Sequence, residues 1–197
     1  MRLTSGWLRG LTIHVPKGLS TRPTSSRLRG AVLNMLQNEV GGARVLDLFA
    51  GSGAVGIEAI SRGAAGAAFV EADGTALACL ERNLAEIRRR SATQDRAPPE
   101  PLTAIRGDVF RVARREAARL GPFDIIWGDP PYSIVGDFLG TIDHDLAGLA
   151  AARSILVVEG PAEYSMPEVV GTDWVRWKER VQGAGQVVLW RRAEVET

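Results

Sequence analysis

The sequence has little of the chemistry that metal-binding or disulfide-rich proteins use. Its 197 residues include one cysteine, Cys79, and two histidines, His14 and His144. One cysteine cannot form an intramolecular disulfide, and these three isolated residues lack the spacing of a metal site. We therefore expect no metal, and a cytoplasmic protein whose thiol stays reduced.

Long hydrophobic runs are also missing. No apolar segment approaches the ~20 residues needed to cross a bilayer, and the N-terminal segment lacks the apolar core of an export signal. The hydrophobic share of 45% still suffices for one well-buried domain with a small appendage. These features predict no membrane partner and permit a monomer.

Acidic residues are absent from the first 38 positions, which carry a charge of +6 against −5 for the remainder. The basic residues of this segment are Arg2, Arg9, Lys17, Arg22, Arg27 and Arg29. A positive arm on a mildly acidic body is typical of phosphate binding; a solvated basic tail is the alternative. Interleaved apolar residues, such as Trp7, Leu8 and Leu11, favour a folded arm.

The pattern of the N-terminal part predicts a small appendage. Weak alternation over residues 3–15 predicts a hairpin, and residues 16–24 are predicted to form a loop. Ser25 or Ser26 is expected to cap a helix that runs to about Asn38. We therefore divide the chain into a basic arm, residues 1–24, and a main domain, residues 25–197.

From Arg44 onwards, apolar runs alternate with amphipathic segments. Predicted strands cover residues 45–49, 67–71, 102–106, 123–127 and 154–159, and predicted helices cover 55–62, 75–90 and 109–120. This alternation indicates an α/β fold whose parallel sheet is covered on both faces. Residues 174–181 and 186–191 flank a glycine-containing turn and predict a terminal antiparallel hairpin.

A glycine loop follows the first of these strands. Asp47 ends the strand, and Gly51-x-Gly53-x-x-Gly56 leads into a helix. Glycines allow a tight turn and close approach of a ligand beside a helix N-terminus. The pattern alone also fits NAD or FAD. Asp47 favours a cationic, adenosine-containing cofactor, because a carboxylate at this place would repel a pyrophosphate.

Two further carboxylates follow the next strands. Glu71 lies about twenty residues after the loop, where it can accept hydrogen bonds from both ribose hydroxyls; Asp73 is a weaker candidate. Asp108 can accept from the adenine amino group, with Val109 or Phe110 covering the ring. Asp108 would alternatively cap the following helix, and the two roles can coexist.

The segment Asp129-Pro130-Pro131-Tyr132 directly follows the predicted strand 123–127. The Asp129 carboxylate and the Pro130 carbonyl could accept both hydrogens of an exocyclic base amine and aim its lone pair at a methyl donor. Pro131 restricts the backbone of Pro130, and Tyr132 would stack on the base. An ordinary turn is the alternative, but ligands bind at the carboxyl ends of such strands.

Together these residues resemble the RsmD family of bacterial rRNA methyltransferases. The resemblance covers nearly the whole chain. It rests on Gly6-Trp7-Leu8-Arg9-Gly10, Arg22-Pro23-Thr24, Leu33-Asn34-Met35-Leu36, the segment Asp47–Gly53, Glu58-Ala59, Ser61-Arg62-Gly63, Asp129–Tyr132 and Gly185-Gln186-Val187. The Arg-Pro-Thr arm is the more specific mark, since other amino-methyltransferases share the glycine and Asp-Pro-Pro-Tyr motifs.

The resemblance implies a Rossmann-like methyltransferase fold that uses S-adenosylmethionine (SAM), with seven strands and an N-terminal hairpin. It implies methylation of the N2 amine of guanine 966 in 16S rRNA, in the context of a small ribosomal subunit or an assembly intermediate. The expected cofactor contacts are Asp47, Phe49, Ala50, Gly51, Ser52, Gly53, Glu71, Ala72, Asp108 and Val109. The expected RNA contacts are Arg9, Lys17, Arg22, Thr24, Arg27 and Arg29.

The chain departs from the family pattern at two positions of the first helix. Ser26 and Gly30 stand where the family usually has acidic residues. Gly30 costs about 1 kcal/mol relative to alanine in a helix, and its lost carboxylate bears on how the arm binds RNA.

Three alternative functions have different signatures. An adenine-N6 methyltransferase would use the same Asp129–Tyr132 motif. An NAD(P)-dependent oxidoreductase would use the same glycine loop but would leave Asp129–Tyr132 without a role. A non-catalytic RNA-binding assembly factor would not need every methyl-transfer position intact.

Overall fold

The computed structural model describes residues 1–3, 5–16, 23–112 and 117–193. Within these ranges, the side chains of residues 23–26, 112, 143–145 and 147 are not described. No helix in the described parts is long and apolar enough to cross a membrane.

The chain forms an α/β fold. Its helices are α1 (Pro23–Met35), α2 (Gln37–Val40), α3 (Ala54–Ser61), α4 (Gly74–Thr93), α5 (Val109–Val112) and α6 (Val135–Asp145). Its strands are β1 (Arg44–Leu48), β2 (Gly66–Glu71), β3 (Leu102–Arg106), β4 (Phe123–Gly128), β5 (Ala150–Pro161), β6 (Val169–Val170), β7 (Trp174–Gln182) and β8 (Gly185–Arg192). Short 3-10 turns cover Ala117–Arg119, Tyr132–Ile134 and Ala147–Leu149.

The strands form one sheet in the order β3-β2-β1-β4-β5-β8-β7-β6. The first five are parallel, and β8, β7 and β6 continue the sheet antiparallel. The mostly parallel sheet and the C-terminal hairpin are confirmed, and the two-residue strand β6 adds an eighth strand to the expected seven. The strand order reverses between β1 and β4, and in such sheets the ligand crevice lies at this point.

Two apolar layers cover the sheet. One contains α1, α3, α4 and the N-terminal arm, whose side chains Leu3, Leu8, Leu11 and Ile13 are buried in the same cluster as β1 and β4. The other contains α5 and α6. Within its described residues, the arm forms the antiparallel bridge Arg2 to Thr12 and packs on the main domain. The division at residue 24 stays a prediction.

Several predicted boundaries were wrong. Helix α1 begins at Pro23, because proline suits the first turn of a helix, so Ser25 and Ser26 lie inside it. It ends at Met35, and α2 follows as a separate turn. Strand β1 ends at Leu48, because Phe49 has a φ of 59°.

Other differences lie between β3 and β5. The α-helix predicted over 109–120 is described as Val109–Val112, followed by a 3-10 turn from Ala117 to Arg119. Sequence analysis missed α6, although Val135, Phe138, Leu139 and Ile142 have the i, i+3, i+4, i+7 spacing of a buried helical face. Strand β5 starts at Ala150, four residues earlier than predicted.

Candidate active site

The glycine loop between β1 and α3 is shaped by its backbone. Phe49, Gly51 and Gly53 all have positive φ, of 59°, 57° and 79°. A Cβ on Gly53 would lie 2.5 Å from Leu80 Cδ1, whereas a Cβ on Gly51 would meet no protein atom within 4 Å. The loop is therefore packed on its inner side and open at Gly51, which leaves room for a ligand to approach the backbone.

Asp47 of β1 bonds to the first turn of α3, across the glycine loop. Its carboxylate is buried and accepts a hydrogen bond from Gly56 N at 3.0 Å. The pKa of Asp47 is raised to about 8, mainly by burial and in smaller part by the negative charges of Asp129 and Glu71. The Gly56 N–H and the Arg29 guanidinium act in the opposite direction. Asp129 and Glu71 thus place negative charge around Asp47, and this charge favours a cationic ligand.

Glu71 connects the glycine loop to the next turn. Its Oε2 accepts from Gly51 N at 2.6 Å and its Oε1 accepts from Asp73 N at 2.7 Å. Each carboxylate oxygen retains a second lone pair that could accept from a ligand. Asp73 itself caps α4 by accepting from Ala76 N at 2.8 Å.

The end of β3 lies beside Glu71. Gly107 N donates to the Glu71 carbonyl at 3.0 Å. The exposed Asp108 accepts from Phe110 N of α5 at 2.9 Å, which fits the helix-capping role that sequence analysis gave as its alternative. Val109 is buried, and Phe110 is half-buried beside it. Of the remaining loop positions, Ala50 and Ser52 are buried and Ala72 is exposed.

Asp129 follows Gly128, which pairs with Leu48 across the β4–β1 junction. The Asp-Pro-Pro-Tyr motif and the glycine loop therefore leave adjacent strands at the same edge of the sheet. Gly128 is required here, because its Cβ would lie 2.6 Å from the Phe138 ring of α6. Asp129 is accessible, yet the surrounding protein displaces much of its water and raises its pKa to about 6, against the lowering field of Arg29.

The two prolines have different environments. The Pro131 carbonyl accepts from Ile134 N at 2.9 Å and starts the 3-10 turn of Tyr132. Among the described residues, no N–H donates to the carbonyl of the buried Pro130. This leaves the Pro130 carbonyl as an acceptor beside Asp129.

Tyr132 lies against the C-terminal hairpin. Its hydroxyl is 3.2 Å from the position that a Cβ on Gly185 would take. Leu28 Cδ2 of α1 is 3.6 Å from the same position, and Glu159 Oε1 is 3.8 Å away. The motif, α1 and the start of β8 therefore meet at one place.

Arg29 is a buried ion-pair partner. Its side chain is 12% exposed, and its Nε donates to Glu58 Oε2 at 3.1 Å. Glu58 also accepts from Arg62 at 2.8 Å. Sequence analysis assigned Glu58 no role, although a glutamate in the apolar helix α3 needs a charged partner.

The other predicted RNA-contact residues are spread over the molecule. Arg27 is exposed at the start of α1, and Arg9 is exposed in the turn that packs on Ser61, at the far end of α3 from the glycine loop. Lys17 and Arg22 lie outside the described residues, as does the Thr24 side chain. Within the described ranges, no cluster of His, Cys, Asp or Glu could hold a metal ion.

Tight backbone contacts dock the arm on α3. Trp7 N donates to Ser61 O at 2.9 Å, and Trp7 Nε1 donates to Ile60 O at 3.0 Å. Gly6 approaches so closely that a Cβ would lie 1.6 Å from Ser61 O. The arm therefore has one fixed position along α3.

A second contact links the arm to the glycine loop. The buried Asn83 of α4 exchanges two hydrogen bonds of 2.9 Å with the backbone of His14 and donates to Ser52 O at 2.9 Å. Sequence analysis missed Asn83; its signal was a polar residue within the apolar stripe of Leu80, Leu84 and Ile87.

Comparison with known proteins places this chain in a family. The family model described as conserved hypothetical protein 95 matches residues 1–191. The Bacillus subtilis protein YlbH is 32% identical over 98% of this chain and 99% of its own length. Ribosomal RNA small subunit methyltransferase D of Escherichia coli K12 is 30% identical over 98% of this chain and 90% of its own.

Solved structures show the same fold. The Escherichia coli protein yhhF superposes with a TM-score of 0.80 at 29% identity, and the match covers 99% of both chains. The rRNA methyltransferase AviRa of Streptomyces viridochromogenes has a TM-score of 0.66 at 16% identity, covering 91% of this chain and 88% of its own. At 16% identity, the similarity to AviRa shows the fold alone.

Proposed function

Because this chain belongs to the RsmD family, we propose that it is an rRNA methyltransferase that uses SAM as methyl donor. The finer proposal is that it methylates the N2 amine of a guanine in small-subunit rRNA, guanine 966 in the family. The name of the Escherichia coli relative supports rRNA as the substrate class. We further propose a small ribosomal subunit or its assembly intermediate as the partner, which implies a cytoplasmic enzyme.

The residues of the glycine loop fit SAM. SAM supplies an electrophilic methyl group on a cationic sulfonium. The negative charges of Glu71 and Asp129 complement such a cation, and a bound cation would lower the pKa of Asp47 so that its carboxyl group ionises as well. Gly51 and Gly53 would admit the ligand to the backbone, Glu71 would accept from the ribose, and Asp108 would accept from the adenine beside Val109.

The Asp-Pro-Pro-Tyr motif would act on the base. The Asp129 carboxylate and the Pro130 carbonyl would accept the two hydrogens of the exocyclic amine, which localises its lone pair on nitrogen. The same acceptors would stabilise the positive charge that develops on that nitrogen. Tyr132 would stack on the base and fix its plane, and Asp129 or water would take the released proton.

One observation carries this proposal. The glycine loop and the Asp-Pro-Pro-Tyr motif leave adjacent strands, with Gly128 paired to Leu48, so both face the same crevice. Asp129 lies close enough to Asp47 for its charge to raise the pKa of Asp47. Hydride transfer by a dehydrogenase would give no role to the carboxyl groups of Asp47 and Asp129 and the Pro130 carbonyl in this crevice.

The test is transfer of labelled methyl from SAM to small subunits, naked rRNA and DNA, each lacking the modification. Asp129→Ala is assayed beside the wild type, with Asp137→Ala as control, because Asp137 is an exposed aspartate of α6. We expect N2-methylguanosine from RNA, reduced by about 10²–10⁴-fold in Asp129→Ala alone.

The other outcomes distinguish a change of substrate from the absence of the activity. N6-methyladenine as the product would keep the catalytic roles and change the substrate. Binding of SAM without transfer to any of the three substrates would refute the proposed enzyme.

A further inference from the structure

The C-terminal hairpin carries basic residues that have no part in the site described so far. Arg180 pairs with Val187 and Lys178 pairs with Leu189 in the β7–β8 ladder. Paired residues of an antiparallel ladder point to the same face of the sheet. Val187 and Leu189 are buried in the layer that contains α1, so both cations lie on the α1 side.

Helix α1 runs along this hairpin. Near its middle, Leu28 Cδ2 lies 3.6 Å from the Cβ position of Gly185. At its end, the Met35 carbonyl accepts from Lys178 Nζ at 3.4 Å. The exposed Arg27, one residue before Leu28, is therefore in the part of α1 that lies beside the hairpin tip. We define the basic strip as Arg27, Lys178 and Arg180.

The strip begins beside the proposed catalytic motif. The hydroxyl of Tyr132 is 3.2 Å from the Cβ position of Gly185, at the tip of the hairpin. A nucleic acid strand that places one base at Asp129 and Tyr132 must carry its neighbouring phosphates past this tip.

Arg180 is available for such a phosphate. It is exposed, and no carboxylate pairs with it among the described residues. Its neighbour Glu179 does not neutralise it. Glu179 bonds to Arg176 and pairs with Val188, which is buried in the opposite layer, so the Glu179 side chain points to the other face of the sheet.

We propose that the basic strip is a second RNA-binding surface, separate from the N-terminal arm, which holds the backbone of the strand that enters the active site. This inference rests on the proposed function. A guanidinium suits a phosphate because it donates two parallel hydrogen bonds. If Arg180 only prevented edge-to-edge pairing of β7, it would not affect RNA affinity.

The test measures the affinity of full-length protein for the rRNA fragment as a function of salt. Arg180→Ala should raise Kd several-fold near 0.1 M salt and reduce the salt slope by about 0.7–0.9, the value of one phosphate contact. Arg180→Lys should retain most of the slope. The affinity for SAM, measured by calorimetry, should not change.

Arg119→Ala is the matched control, since Arg119 is an exposed arginine that precedes the amino end of β4, whereas the proposed site lies after its carboxyl end. If Arg180→Ala had the same Kd and salt slope as this control, the basic strip would be refuted. If the wild type bound RNA without methylating it, the proposed function would be refuted. The salt slopes would still show whether the basic strip binds RNA. Absence of RNA binding by the wild type would refute both.

Discussion

Asn83 holds both backbone groups of His14 through its side-chain amide. Its Oδ1 accepts from His14 N and its Nδ2 donates to His14 O, each at 2.9 Å. The same Nδ2 donates to Ser52 O in the glycine loop. The strand of the arm that leads into residues 17–22 is thereby tied to the proposed cofactor loop.

Asn83→Asp should weaken SAM binding. A carboxylate would keep the hydrogen bond from His14 N but would set an acceptor against the carbonyls of His14 and Ser52. Leaving such buried groups unpaired costs about 1–3 kcal/mol. We expect a lower unfolding free energy and a higher Kd for SAM, measured by denaturation and calorimetry.

Asn34→Asp is the matched control for this change. Asn34 is exposed, and its Oδ1 accepts from Arg62 at 2.6 Å, which an aspartate can also do. Equal SAM affinity of both variants would contradict the proposed role of Asn83.

Methyl transfer should depend on the ionisation of Asp129. The pKa of this carboxyl is raised to about 6, mainly by desolvation. The protonated acid is a weaker acceptor for its amine hydrogen and has no negative charge to stabilise the developing cation, so kcat/KM should rise with pH through about 6 and level off above it. Asp129→Asn should lose this rise of kcat/KM with pH together with most of the activity. Asp137→Asn should keep both. A rise that survives in Asp129→Asn would assign the titration to another group.

Asp47 should make the ligand-free protein less stable as pH rises. The pKa of its carboxyl group is about 8 in the folded protein, against an ordinary value of 3.8. Between these values the folded state holds the extra proton, so stability falls with rising pH by at most about 1.4 kcal/mol per unit.

Asp47→Asn keeps an acceptor for Gly56 N and removes this dependence. Unfolding free energies from pH 5 to 8 should show the wild type losing stability relative to the variant. Parallel curves would mean that Asp47 is already ionised in the folded state.

Gly185→Ala should disturb Tyr132 without affecting the cofactor loop. Gly185 does not have a positive φ, and its new Cβ would lie 3.2 Å from the Tyr132 hydroxyl. A shift of a few tenths of an ångström in the ring should lower kcat by roughly tenfold, with unchanged SAM affinity. Gly148→Ala, whose Cβ meets nothing within 4 Å, should behave as wild type. Full activity of Gly185→Ala would argue against a positioned Tyr132.

Gly30→Ala should stabilise the protein. Gly30 lies inside α1 with nothing within 4 Å of its Cβ position, so alanine should gain about 0.5–1 kcal/mol. Gly53→Ala is the opposite case, because its φ is +79° and Leu80 Cδ1 is 2.5 Å from the new atom. Thermal unfolding should show Tm rising for the first and falling for the second. A lower Tm for Gly30→Ala would show that this glycine serves the packing of α1.

The sequence was sufficient for the outline of the sheet and for the position of the proposed motifs along it. Apolar runs of strand length alternate with helical patterns, and Asp47, Glu71, Asp108 and Asp129 each end or follow such a run. Parallel strands place their carboxyl ends at one edge, so these carboxylates had to be neighbours once the order of strands was right. The sequence pattern did not lead us to predict α6, because its glycines obscured a buried face at helical spacing.

The partners of individual side chains were decided by the tertiary structure alone. Arg29 carries a charge that suits RNA, yet α1 packs on α3 so that its guanidinium meets Glu58. Asn83 meets His14 across 69 positions of the chain, and Gly185 meets Tyr132 because β8 returns beside β5. A sequence pattern sets the face on which a residue lies. Which distant residue it contacts there depends on how the helices and the hairpin pack on the sheet.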